Sequence, residues 1–488
     1  MIQLESLTFD NSYSQLPDHF FQRINPTPLA NPFLIGFNPD VAGVLGLDPC
    51  KVDPKALAHY FGGAGQLPGA EPLAMKYTGH QFGVYNPDLG DGRGVLLGEV
   101  VNSQGERWDL HLKGAGKTAF SRFGDGRAVL RSSIREYLVS EAMHGLGIPT
   151  TRALSLVGSE EMVMRDGMME PCAALLRVSQ CHIRFGHFEY FYYSRQHESL
   201  KQLADYCVAR YFPQYEREEQ PYLAMFEEVV NRSANLVAHW QGYGFVHAVL
   251  NTDNMSLIGE SFDYGPYSFL DRYKPNLISN HNDHQGRYAF SQQPAIIHWN
   301  LSCLAQALLP LIEKESLIKV LDQYPEIYTG AELMVFRKRL GLQIQREEDS
   351  LLISTLLSLF TQQEVDMNRF FRALASFDGS ESSISGLAEL LLYPEQLKPW
   401  IDQYAERLTY EVASAPIRRA QMLAVNPAYI LRNYMAEEAI RDATDGDFST
   451  VHDLLMLLRK PMELRPDFAR YTEEPPEWAG GICLTCSS

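Results

Sequence analysis

Trp108, Leu110 and Leu112 alternate with Asp109, His111 and Lys113, the period-two pattern of a half-buried strand. Just upstream, Val95-Leu96-Leu97 and Val100-Val101 run into the turn-rich Asn102-Ser103-Gln104-Gly105, so the two segments predict a hairpin. The period then changes. Between Ala128 and Leu146, the residues Val129, Leu130, Ile134, Tyr137, Leu138 and Met143 recur three and four positions apart, and Gly145 and Gly147 follow. That spacing predicts an amphipathic helix with a glycine stop. Short strands are expected at 153–157, 161–165 and 174–178, and helices dominate after Ser199, at 200–211, 222–241, 298–309, 351–360, 387–392 and 429–442. Residues 1–75, with Pro26, Pro28 and Pro32 close together, read as an extended arm packed on the core. Strands with one helix, then a mainly helical half, predict an α+β chain of two lobes with a cleft between them. The expected divisions are an extension over 1–75, a small lobe over 76–180, a helical large lobe over 181–425 and C-terminal helices with a tail over 426–488.

Composition narrows the function classes. The chain has 488 residues, 45% hydrophobic and 21% charged, which is ordinary globular usage. No apolar run reaches the length of a membrane span, and the opening Met-Ile-Gln-Leu-Glu-Ser has no signal-peptide pattern. Seven cysteines in this length suit a reducing, cytoplasmic setting. Cys50, Cys172, Cys181, Cys207 and Cys303 are scattered and read as small apolar packing residues. A net charge of −18 argues against general nucleic-acid binding. Within this acidic chain, Arg107, Lys113, Lys117, Arg122, Arg127, Arg131 and Arg135 stand against only Asp109 and Asp125. Seven minus two leaves a local excess of five positive charges, a solvated basic face or a field for a polyanion such as a nucleoside triphosphate.

Two familiar phosphate motifs fail. Gly116-Lys117-Thr118 ends like a P-loop, but His111 stands where the first glycine belongs, and Val95 occupies the third glycine of a G-x-G-x-x-G. The order of parts is more informative. A glycine-rich turn, Leu89-Gly90-Asp91-Gly92-Arg93-Gly94, opens the hairpin, the second strand ends on Lys113, and the helix places Glu136 among apolar neighbours. Glycine turn, strand lysine and helix glutamate are the parts of a protein-kinase small lobe, in its order. Further on, His247-Ala248-Val249-Leu250-Asn251-Thr252-Asp253-Asn254 keeps the His, Leu and Asn of the kinase catalytic loop, with Ala248-Val249 in place of Arg-Asp. Nine residues later comes Asp263-Tyr264-Gly265, close to D-F-G. Asn254 and Asp263 suit hard Mg²⁺ or Mn²⁺, and Asp253 is a carboxylate left nearby. As a cleft ligand, Asp263 predicts that Asp263→Ala abolishes metal-dependent activity and leaves the fold unchanged.

The stretches 89–93, 111–116, 123–136, 251–256, 263–267 and 281–288 resemble the signature blocks of the selenoprotein O family of kinase-like proteins, nearly end to end. The resemblance implies transfer of AMP, rather than phosphate, from ATP to Ser, Thr or Tyr hydroxyls of protein substrates, with ATP flipped relative to kinases. It implies that Gly90, Gly92, Arg93, Lys113, Asp125, Gly126, Arg177 and Arg184 contact the nucleotide, and that Glu136 orients Lys113. It makes Asp253 the proton acceptor, and Asn254 and Asp263 the holders of Mg²⁺ or Mn²⁺. The tail Cys483-Leu484-Thr485-Cys486 matches too, with Cys486 where several relatives carry selenocysteine. Two thiols cannot complete a zinc site, so the pair reads as a redox element. His281 and His284 have no obvious further ligand, and Phe188, Tyr190, Phe191, Tyr192 and Tyr193 read as core or interface. Two alternatives stay open: a kinase-like phosphotransferase that uses Asp253 as base, and a non-catalytic ATP-binding scaffold whose tail is the working part.

Overall fold

The computed structural model describes residues 3–485. Eleven strands precede the helical half: β1 (Thr8–Phe9), β2 (Phe21–Arg23), β3 (Phe33–Phe37), β4 (Leu73–Met75), β5 (Gly79–Gln81), β6 (Val84–Asn86), β7 (Gly94–Val101), β8 (Arg107–Lys113), β9 (Ala128–Val129), β10 (Arg152–Arg165) and β11 (Met168–Ser179). Nine of them form one sheet in the order β2-β4-β7-β8-β11-β10-β3, with β1 beside β7 and β9 beside β11. Every pairing in it is antiparallel. β5 and β6 make a separate hairpin. Residues 8–75, read as an arm, supply four strands of the sheet and the helices α1 (Pro39–Val44) and α2 (Pro54–Phe61).

Strand alternation divides the sheet into two buried faces. Val95, Leu97, Leu110, Leu112, Leu176 and Val178 pack with Val41, Leu45, Leu57 and Phe61 of the N-terminal helices. Leu96 and Leu175 point the other way, onto Ile134, Tyr137 and Leu138 of α3 (Leu130–Gly145). Lys113 lies opposite Leu175 and His111 opposite Arg177, so all four side chains share the α3 face. That register brings a lysine and an arginine to one side of α3. The strands expected at 153–157 and 161–165 are one strand, kinked by a register shift between Gly158 and Met162. β10 turns into β11 through Asp166 and Gly167, both at positive φ, as a two-residue hairpin requires.

Five more helices bear on the site or its support: α4 (Phe185–Tyr193), α5 (His197–Tyr211), α6 (Pro221–Tyr243), α7 (Gln293–Leu308) and α8 (Lys314–Leu321). Sixteen α-helices are present among the described residues. A second core, with Phe336, Leu356, Phe360, Phe370, Phe371 and Trp400, holds the later helices together. The helix expected at 387–392 runs instead over Glu381–Ala388, where Ser380 caps its N-terminus with a hydrogen bond from the Ser383 amide. The one expected at 429–442 runs over Asn433–Thr444. Phe188 and Phe191 are buried in the main core, as the aromatic run suggests. Cys172, Cys181, Cys207 and Cys303 are buried, whereas Cys50 is exposed in a turn.

Candidate active site

A cleft of about 650 Å³ is lined by Gly90, Gly92, Arg93, Lys113, Asp125, Gly126, Arg177, Arg184, Asp253 and Asp263. These residues come from the glycine turn, β8, the 114–127 loop, β11, the start of α4 and the two later loops. The fold brings them to one place. Glu136 sits behind the cleft on α3, its carboxylate hydrogen-bonded to Lys113 Nζ and, at 2.5 Å, to Arg177 Nε. The helix is therefore less amphipathic than its spacing predicts. Ser133, Arg135, Glu136, Ser140 and Glu141 are buried with the apolar positions, and Glu141 pairs with Arg152 at 2.5 Å. Arg135 stacks 4.4 Å from the Tyr267 ring centroid.

Two arginines clamp Asp263. Arg177 Nη2 donates to its Oδ1 at 2.8 Å and Arg184 Nη1 to its Oδ2 at 2.7 Å. Burial alone would raise this carboxyl, but Arg184, Arg177 and Lys113 together hold it well below the usual range. Burial likewise opposes the charge on Lys113 and brings it down to about 8, although Glu136 pulls the other way. Asp253 contrasts with Asp263. Burial pushes it up to about 7, its Oδ2 accepts only a 3.2 Å bond from Gln81 Nε2, and its buried Oδ1 has no partner among the described residues.

The β5–β6 hairpin straps the loop that carries Asp253. His80 N donates to Thr252 Oγ1 at 2.7 Å, and Phe82 N donates to Asn251 Oδ1 at 3.2 Å. Position 79 must be glycine for this approach, because a Cβ there would lie 2.8 Å from Asp253 Oδ1. Beneath the loop, His247 Nε2 donates to the Phe262 carbonyl at 3.0 Å, which ties it to the Asp263 segment. Asn254 Nδ2 donates to the Val249 carbonyl at 3.0 Å, leaving its Oδ1 as the ligand atom. Asp263 lines the cleft whereas Asn254 is not among its lining residues; the oxygens of the two are hard donors of the kind Mg²⁺ or Mn²⁺ takes.

The basic excess is redistributed. Arg107, Lys113, Arg127 and Arg131 pair with Asp10, Glu136, Glu161 and Glu170. Arg93, Lys117 and Arg122 have no ion pair among the described residues, and the first and last line the cleft. Asp125 is held by Arg165 at 2.7 Å and by the Arg127 amide at 2.9 Å, so it shapes the 114–127 loop. Gly126 has φ 74°, and a Cβ on it would lie 2.1 Å from the Gly116 carbonyl carbon. Gly126→Ala is expected to cost at least about 2 kcal/mol and to abolish any rise in thermal midpoint with ATP. Differential scanning fluorimetry with and without ATP measures both, and an unshifted midpoint with intact ATP response would contradict it.

Sequence reasoning missed Gln81, Asp91 and His111. Asp91 is buried, accepts from the Met75 amide at 3.1 Å and lies 3.2 Å from His111 Nε2 and 3.7 Å from Arg184. Burial would raise it, but His111 and Arg184 bring it down to about 2. Its place inside the glycine turn was the available signal. Gln81 carried none. His281 and His284 are exposed, their rings 6.5 Å apart, with no third ligand nearby among the described residues. The tail lies along this segment, with the His281 amide donating to the Leu484 carbonyl at 2.8 Å. Cys483 is exposed there, and Cys486 lies outside the described residues.

A family model described as protein adenylyltransferase SelO matches residues 3–459. The chain is 58% identical over 487 residues to a protein nucleotidyltransferase YdiU of Hahella chejuensis, covering 99% of each chain. It is 48% identical to the protein of that name from Azotobacter vinelandii and 47% identical to the one from Photobacterium profundum, each covered completely.

Proposed function

Since this chain belongs to the SelO family and is a protein nucleotidyltransferase, we propose that it transfers AMP from ATP to Ser, Thr or Tyr hydroxyls of proteins and releases pyrophosphate. The observation that carries this reading is the convergence of Arg177, Arg184 and Lys113 on Asp263 in a cleft that also holds Asp253. Glu136, Asp263 and Asp91 already face these three buried cations, but Arg93 and Arg122 line the same cleft with no ion pair among the described residues, and a triphosphate supplies the negative charge they lack. The sheet with α3, built from 76–180 and four strands of 8–75, acts as a kinase-like small lobe, and the helices over 181–425 as the large lobe.

In this reading ATP lies flipped, its phosphates under the Gly90–Gly92 turn and its outer charges met by Arg93. Asp125 and Gly126 hold the 114–127 loop against it. Arg177 and Arg184 leave Asp263 for the phosphate oxygens. Asp263 and Asn254 would hold Mg²⁺ or Mn²⁺, which would supply positive charge against the phosphates. The acceptor hydroxyl oxygen bonds to the α-phosphorus, the bond from that phosphorus to the α–β bridging oxygen breaks, and pyrophosphate departs. Asp253 takes the hydroxyl proton and passes it to solvent. With burial holding this carboxyl near neutrality, it accepts and releases a proton under working conditions.

Incubation with ATP labelled at the α or the γ position separates the alternatives. Acid-stable label on protein from the α position only is expected. Label from γ only makes the protein a kinase, and no label from either, with ATP still bound, makes it a scaffold.

A further inference from the structure

Beside the strapped loop lies a cluster that the proposed chemistry does not use. His80 on β5, Glu189 on α4 and Cys303 on α7 bring one ligand atom each within 4.8 Å of one another. His80 Nδ1 is 2.6 Å from Glu189 Oε1. Glu189 is fully buried and has no lysine or arginine at ion-pair distance among the described residues. The Cys303 thiol is also buried and makes no hydrogen bond among them. The His80 ring is fixed by neighbours, with Trp299 and Tyr85 each 5.4 Å away.

We propose that His80, Glu189 and Cys303 bind one Zn²⁺ ion, distinct from the Mg²⁺ or Mn²⁺ of the nucleotide cleft. One imidazole, one carboxylate and one thiolate are a zinc donor set, softer than the all-oxygen set at Asp263. A neutral imidazole with two anions balances the dication, so the buried group carries no net charge. The fourth position falls on the side of His80, where the imidazole is partly exposed, and is left to water. On binding, the Cys303 S–H proton is released to solvent, the sulfur–zinc bond forms, and nothing is oxidised or reduced. Loading exchanges the thiol proton for the ion, so it releases one proton per ion and is favoured by higher pH.

The site's consequence is mechanical. Glu189 Oε2 accepts from Thr252 Oγ1 at 2.5 Å, and Thr252 precedes Asp253. An ion here locks β5, α4 and α7 to the loop that holds the proton acceptor. The ion positions that loop and touches no substrate.

Full-length protein stripped with a chelator and titrated with Co²⁺ tests this. One equivalent should give the visible bands of tetrahedral cobalt and a thiolate-to-cobalt absorption in the near ultraviolet. Cys303→Ser should lose the thiolate absorption, and His80→Ala should weaken cobalt binding at least about tenfold. Asp263→Ala and Cys483→Ser should keep the full spectrum, since neither supplies a ligand. Zinc measured in protein purified without chelator should approach one equivalent and fall in the His80 and Cys303 variants. Absence of the thiolate absorption in wild type, or its survival in Cys303→Ser, overturns the proposal. His80 sits on the separate β5–β6 hairpin with a partly exposed ring, so its variant remains informative if the Cys303 variant does not fold.

Discussion

Asp253→Asn is expected to slow transfer to protein by about 100- to 10,000-fold while ATP still raises the thermal midpoint. The residue is the only carboxylate in the cleft with an unpartnered oxygen among the described residues. Wild-type transfer should climb with pH and level off above about 7, as Asp253 loses its proton, and the variant's residual rate should lack that limb. Stability gives an independent sign. The carboxyl is raised from 3.8 in the folded state, so the folded chain binds the proton more tightly than the unfolded chain. That contribution is complete at acid pH and is lost as pH rises from about 4 to about 7. Asparagine does not titrate, so the variant should melt higher than wild type at pH 8. Unimpaired transfer, or a pH profile shared by both proteins, refutes the assignment.

Asp263→Ala is expected to reduce transfer at least about 1000-fold, from loss of the metal ligand and its charge. From sequence alone the fold should be indifferent to this change. The structure reverses that expectation, because Arg177 and Arg184 are buried and each donates to Asp263. Removing the carboxylate they share should cost about 3 kcal/mol. Glu136 still partners Arg177, and Asp91 with the Asp253 carbonyl still partners Arg184, so the protein folds. Asp263→Asn keeps an oxygen acceptor without the charge, and should be as inactive as alanine but intermediate in stability. A melting curve of each variant beside its transfer rate decides, and an alanine variant that transfers normally would remove Asp263 from the site.

The legible part of the site was its short-range chemistry. Lys113, Glu136, Asp253 and Asp263 occur at spacings set by strand, helix and loop, and the alternation around Trp108 fixed which strand face carries Lys113. The expected hairpin is β7–β8 and the expected helix is α3. Contacts between distant segments left no periodic trace. Gln81 reaches Asp253 across 172 positions, and no pattern in either neighbourhood encodes it. The split reading of β10 has a simpler cause: beyond Ser159 its side chains alternate between exposed and half-buried, so the apolar period fades while the backbone pairing continues. α3 was misjudged in character because its buried acids are paired by strand residues, Arg152 and Arg177, that lie outside any helical window.

On the proposed reading, the double-arginine clamp on Asp263 also makes nucleotide and metal mutually dependent. A divalent cation arriving alone meets a carboxylate whose charge is already matched by two guanidinium groups, and must displace them onto Glu136 and Asp91 alone. A triphosphate gives those groups an alternative partner and frees the carboxylate. By reciprocity, whatever factor the nucleotide adds to metal affinity, the metal must add to nucleotide affinity. Free Mg²⁺ should therefore bind feebly, ATP without metal only modestly, and the pair together far more tightly than the product of the two.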